Sequence, residues 1–268
     1  MRCFSCAGDR LNLRVLDLFS GIGGFSLGLE RAGFQTVAFC EVDPYCRAVL
    51  AKHWPLVPCF GDVRTLDKRQ LEGLLPIDVI CGGFPCQDIS ISGEGAGLDG
   101  ERSGLWVEFA RLIGELRPRY AIVENVAAIT FRGLLDVLGD FAEMGFSAEW
   151  RAIPASAVGA PHQRERIWIV AYAAGVGLPP AWECFKSGLD TKGAFKETDG
   201  LVAAVQKGAV PYVCGRHDGL SRRLDECAIA ALGNSVVPQI PEIIGRAILE
   251  AERHASTRSK TAKAIAEE

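Results

Sequence analysis

Short apolar runs recur along the first two thirds of the chain. Each stops at a glycine or an acid, and a polar stretch follows. Val15–Leu18 runs into the turn Gly21-Ile22-Gly23-Gly24, helical spacing then holds to Arg31, and Gly33 marks a stop. Thr36–Cys40 ends at Glu41, and Pro44 opens a helix to His53. Val57–Phe60 ends at Gly61-Asp62, and Ile77–Cys81 ends at Gly82-Gly83-Phe84-Pro85-Cys86. Tyr120–Val123 ends at Glu124-Asn125. Ser103–Leu116 and Gly133–Met144 have helical spacing, and Phe146–Ile153 and Arg166–Tyr172 read as a final strand pair.

Repeated strand–helix alternation predicts an α/β fold, a mostly parallel sheet with helices on both faces. The chemically distinctive residues fall at the carboxyl ends of the strands: Asp17 with Phe19, Glu41, Asp62, Cys86 and Glu124. Open α/β sheets bind ligands along that edge. Beyond Ala173 the periodicity degrades, and order returns at Leu232–Pro238 before a helix over Glu242–Arg253. The expected organisation is a catalytic and cofactor-binding unit over 1–172, a small lobe over 173–227, and a segment returning to the first unit over 228–256. A frayed, disordered tail is expected over 257–268.

Composition narrows the class. The chain has 268 residues, 49% hydrophobic and 23% charged, which is ordinary for a globular protein and excludes collagen-like, coiled-coil and disordered chains. Apolar runs fall short of the roughly 18–20 residues of a membrane span. With no secretory leader legible, a cytoplasmic location is expected, without membrane attachment. The net charge of −4 speaks against a simple nucleic-acid coat, yet leaves room for a local basic cleft. Ten scattered cysteines fit a reducing compartment. Cys3-x-x-Cys6 with Cys214-x-x-His217 has zinc-ligand chemistry, but these pairs lie far apart in sequence, and most free cysteines are small buried hydrophobes.

The strand ends describe a cofactor site. Gly21, Gly23 and Gly24 bring backbone N–H groups to a helix start. The third glycine of a dinucleotide fingerprint is replaced by Ser26, which disfavours a pyrophosphate. Glu41 is placed to accept ribose hydroxyls and Asp62 to accept from an exocyclic amine. Acids at strand ends also cap helices, so each alone carries little weight. As an ordered set they describe an adenosine site without a phosphate clamp, which suits S-adenosylmethionine. Cys86 on a glycine–proline loop reads as a nucleophile, with Glu124 one strand along as general acid. Arg164 and Arg166 alternate and so share a face, facing either a phosphate or base oxygen or surface salt bridges with neighbours such as Glu165.

Together these segments resemble the DNA cytosine-5 methyltransferases of bacterial or phage type, over almost the whole length. The matching stretches are Asp17–Gly24, Glu41–Pro44, Gly61–Val63, Gly82–Gln87, Glu124–Val126, Arg164–Ile167 and Gly233–Pro238, in the family's order. The resemblance implies the Rossmann-like fold of S-adenosylmethionine-dependent methyltransferases with a small target-recognition lobe. It implies that a cytosine is flipped out of double-stranded DNA and attacked at carbon 6 by Cys86. Glu124 would engage the ring N3 and amino group, Arg166 the base carbonyl or a phosphate, and Arg164 would assist. Phe19 would lie on the adenine, and Asn234 and Ser235 would close the methionine end. Val63, Pro85 and Leu105 complete the implied cofactor bed. Gln87, Ser90, Arg216, Arg222 and Arg223 are the implied DNA contacts. No metal is implied, a monomer suffices for flipping, and a cognate restriction endonuclease is an implied companion.

Two departures stand out. His162 occupies a position that is often Gln in the family, with Gln163 next to it. The variable region between the Arg-x-Arg and Gly-Asn-Ser segments is shorter than usual, so the lobe would specify a short site or specify weakly. Two other readings stay open: methylation of tRNA, against which Lys186 follows Cys184-Phe185 where the RNA branch has Thr, and a non-catalytic relative that binds cofactor only.

Overall fold

The structure is a computed structural model describing residues 12–85, 104–160, 162–174, 176 and 222–266, without the side chains of 132, 222–226, 229 and 256–266. Its strands are β1 (Arg14–Leu18), β2 (Gln35–Cys40), β3 (Cys59–Phe60), β4 (Val79–Gly83), β5 (Tyr120–Val126), β6 (Phe146–Pro154) and β7 (Glu165–Ala173). Its helices are α1 (Gly24–Ala32), α2 (Pro44–His53), α3 (Leu105–Leu116), α4 (Ile129–Arg132), α5 (Leu134–Glu143), α6 (Arg222–Asn234) and α7 (Gln239–Ala266).

The strands form one sheet in the order β3-β2-β1-β4-β5-β7-β6. β1 to β5 pair in parallel, whereas β7 runs antiparallel between β5 and β6. The parallel strands are covered on both faces, which is why they read as unbroken apolar runs. One face carries α3 and α5, whose Trp106, Phe109, Leu112, Val137 and Phe141 repeat at helical spacing into the core. The other carries α1 and α7 through Phe25, Leu29, Ile240, Ile244 and Ile248.

Local signals explain the boundaries. Pro44 occupies the first turn of α2, and the Asp43 carboxylate caps it by accepting from the Cys46 N–H at 2.9 Å. α1 ends at Gly33, whose φ of 112° lets its N–H reach back to the Leu29 and Glu30 carbonyls. Glu252 of α7 is buried and accepts from the Tyr120 hydroxyl at 2.8 Å while pairing with Arg119, which pins the last helix to the start of β5.

Three elements differ from the sequence expectation. β3 is confined to Cys59–Phe60. α6 begins at Arg222, well before Leu232. α7 runs to Ala266, through the residues expected to fray. The stretch after Gly245 holds no glycine or proline and is rich in alanine, glutamate and arginine, so helix propensity favours its continuation.

Candidate active site

The register of the parallel strands places their carboxyl ends side by side. Leu18 lies opposite Cys40 and Gly82, Cys40 opposite Phe60, and Gly83 opposite Glu124. Phe19, Glu41, Asp62, Pro85 and Glu124 therefore follow one another along a single edge.

At the β1 end the chain turns sharply. Phe19, Gly21 and Gly23 all have positive φ, at 52°, 54° and 88°. Only glycine adopts that region cheaply. Phe19 is held there by its ring, which stacks on Phe109 with centroids 6.3 Å apart. The turn is braced by Ser20, whose hydroxyl donates to the Asp17 carbonyl at 2.6 Å, and by Glu41, which accepts the Gly21 N–H at 2.7 Å. The second Glu41 oxygen accepts the Asp43 N–H at 2.8 Å. Each carboxylate oxygen keeps further acceptor capacity for a ligand hydroxyl.

Asp17 is fully buried beneath this turn. Burial raises its carboxyl from 3.8 to about 7, helped by nearby Glu41 and opposed by the Ser26 hydrogen bond. The Ser26 hydroxyl donates to it at 2.7 Å. Ser26, at the position of the missing fingerprint glycine, thus ties α1 to β1.

Asp62 has a partner within the protein. Both its oxygens engage Arg64, at 2.7 Å and 3.0 Å, and this guanidinium holds the carboxyl below its ordinary value. An exocyclic amine at Asp62 must share it with Arg64. The neighbouring Val63 side chain is buried in the core, and its carbonyl accepts from the Arg111 guanidinium at 3.1 Å. Leu105 begins α3 and packs partly buried against the same core.

Farther along the edge, Glu124 is 8% exposed. Its carboxylate takes space that only a glycine opposite leaves free, since a Cβ on Gly83 would sit 2.7 Å from Glu124 Oε2. Burial raises this carboxyl from 4.5 to about 7, against the lowering pull of Arg166 and Arg164. Arg166 Nε lies 3.0 Å from Glu124 Oε1. Arg164 turns elsewhere: its guanidinium donates to the Gly233 carbonyl. Next to Glu124, the buried Asn125 side chain donates to the Phe84 carbonyl at 3.0 Å. That bond anchors the Phe84-Pro85 stem from which Cys86 follows. No role for Asn125 was legible beforehand, because its motif position alone does not reveal a partner on another strand.

The Gly-Asn-Ser segment returns to the first turn. Asn234 ends α6, and Ser235 and Val236 lie against Gly24, where a Cβ would come within 2.8 Å of Ser235 Oγ. Cys86, Gln87, Ser90 and Arg216 lie outside the described residues, as do Cys3, Cys6, Cys214 and His217. Arg222 and Arg223 are described as backbone in the first turn of α6. Among the described residues no cluster of potential metal ligands occurs, and no helix is long and apolar enough to cross a membrane.

The sheet order, with its antiparallel final pair, is that of the Rossmann-like methyltransferase fold. It is shared with a Spodoptera frugiperda DNMT2 mutant at a TM-score of 0.53 and 21% identity, over 63% of this chain and 52% of that one. A prophage-encoded E. coli protein described as a DNA modification methyltransferase superposes at 0.52 with 32% identity, over 60% of this chain and 47% of that one. Residues 13–195 match the family model of C-5 cytosine-specific DNA methylases, and the chain belongs to that family. It is 35% identical to the type II methyltransferase M2.BsuMI of Bacillus subtilis, over 59% of this chain and 42% of that protein. It is 28% identical to M.NgoBI of Neisseria gonorrhoeae, over 88% of this chain and 80% of that protein. With M.HhaI of Haemophilus parahaemolyticus it shares 33% identity, over 60% of this chain and 49% of that protein. The chain thus spans less than half of two of these three relatives.

Proposed function

We propose that this protein methylates carbon 5 of cytosine in double-stranded DNA, using S-adenosylmethionine. The observation that carries the reading is Glu124, a buried carboxyl raised to about 7 and paired with Arg166, on the strand beside the stem that leads to Cys86. A carboxyl with this poise delivers a proton near neutral pH. The β1 turn and Glu41 fit the cofactor: backbone N–H groups and acceptor oxygens are at hand, while Ser26 replaces the glycine a pyrophosphate site would use.

The cytosine enters the edge flipped from its duplex. Cys86, as thiolate, forms a bond to carbon 6, and the displaced electron pair moves to N3, where Glu124 supplies the proton. Arg166 keeps Glu124 oriented and offers N–H donors to the base carbonyl. S-adenosylmethionine, when bound, supplies an electrophilic methyl for the now electron-rich carbon 5. Loss of the carbon-5 proton, return of the N3 proton to Glu124 and expulsion of the Cys86 thiolate restore the aromatic ring. Gln87, Ser90, Arg216, Arg222 and Arg223 are proposed as DNA contacts. The relatives are named type II methyltransferases, which supports a cognate restriction endonuclease as companion.

The test is transfer of labelled methyl to mixed-sequence duplex DNA, with tRNA and a Cys86→Ala variant alongside. Label in DNA that disappears with the variant is expected. Label confined to tRNA, or DNA label that survives Cys86→Ala, would overturn the proposal.

A further inference from the structure

Arg164 and Arg166 stand two residues apart at the start of β7, yet they serve different partners. Arg166 pairs with Glu124, and Arg164 donates to the carbonyl of Gly233. Gly233 is the penultimate residue of α6. The last four carbonyls of a helix lack intrahelical partners, and that end of the helix attracts cations. A guanidinium is therefore a fitting clasp for it. Immediately beyond, Ser235 and Val236 press on Gly24, where a Cβ would meet Ser235 Oγ at 2.8 Å and the Val236 carbonyl at 2.9 Å. The Gly233 bond thus sits two residues from the contact that closes the glycine-rich turn. Arg164 is also close enough to Glu124 to lower its proton affinity. One side chain lies between the base-facing acid and the segment that covers the first turn.

We propose that Arg164 is a positioning residue for the cofactor: it clasps the end of α6 so that Ser235 and Val236 stay seated on Gly24, rather than acting on the target base. This deepens the methyltransferase reading and rests on it. The role predicts an effect on cofactor affinity that needs no DNA. In Arg164→Gln, one charge-assisted bond to the carbonyl is weakened. The dissociation constant for S-adenosylmethionine, measured by calorimetry without DNA, rises about tenfold. In turnover the loss falls mainly on KM for the cofactor. Arg164→Lys, which keeps a cationic donor, recovers most of the affinity. Hydrogen exchange gives a separate reading: the Ser235 and Val236 amides lose protection in Arg164→Gln, while those of Ile167–Val170 keep it.

Wild-type affinity in Arg164→Gln, together with an increase in KM for DNA or a fall in kcat, would overturn the clasp and return Arg164 to the base or a phosphate. Loss of protection throughout β7 would overturn it equally, by showing general unfolding. If the wild-type protein binds the cofactor but methylates no nucleic acid, the proposed function falls, while the affinity and exchange comparisons still decide the clasp.

Discussion

Glu124 and Asp17 are both carboxyls raised to about 7 by burial, yet they lead to different experiments. Glu124 faces the edge where a base would lie. Its proton is present below about pH 7 and lost above it, so kcat/KM for DNA should fall as pH rises through that value. Arg166 pulls this carboxyl down, so Arg166→Gln should move the alkaline limb to higher pH while lowering the maximum. A pH–rate profile of the two proteins checks the sign. Asp17 faces no solvent. Its folded form holds a proton between its ordinary 3.8 and about 7, whereas the unfolded chain has released it. The stability it contributes is full below about pH 4 and is lost as pH rises through 7. Asp17→Asn keeps an acceptor for Ser26 and cannot ionise. Melting temperatures measured across that window should therefore decline less steeply in the variant. An unchanged slope would show that Asp17 does not titrate there. Glu41, Asp62 and Glu124 were legible in the sequence because each follows the end of an apolar run. Their partners were not, since Arg64 on Asp62 and Asn125 on the Phe84 carbonyl depend on rotamers and on neighbouring strands.

At the level of elements, the strands and the helices between them follow from periodicity: the parallel strands are continuous apolar runs, and α3 and α5 carry a clear apolar face. What escaped was the carboxyl-terminal part, where polar, alanine-rich sequence carries little pattern and α6 and α7 exceed their expected bounds. The return of the last helix to the first unit was expected, but its packing on α1 was not. That packing depends on Gly28, where a Cβ would come 2.2 Å from the Pro238 carbonyl. Gly28→Ala should force the helices apart and cost about 1–3 kcal/mol, despite the better helix propensity of alanine. The urea midpoint measures it; an unchanged or higher midpoint would show that α7 does not sit tightly on α1. Because Pro238 directly follows the Ser235–Val237 segment, whose Ser235 and Val236 lie against Gly24, the same variant should lose cofactor affinity.

For the whole molecule, the proposed cofactor bed joins segments far apart in the chain: the β1 turn, Glu41, Asp62 and the turn after α6. A ligand that bridges them should stabilise the protein as one body. S-adenosylmethionine at a hundredfold excess over its dissociation constant should contribute about 2.7 kcal/mol. For a chain of this size that raises Tm by roughly 5–10 °C. Scanning calorimetry with and without the cofactor is the check, and Cys86→Ala should show the same rise, because its thiol is assigned to the base.

The seating of Ser235 on Gly24 also bears on how the protein is made. Ribosomes deliver the amino-terminal strands first, and those can begin to fold while the rest is still being assembled. The glycine-rich turn, Glu41 and Glu124 are all translated before Ser235 exists. A nascent or prematurely terminated chain therefore carries Glu124 but lacks the segment that seats on Gly24. Such a fragment, ended before Ser235, should bind S-adenosylmethionine more weakly than the full chain, and calorimetry on the two measures the difference.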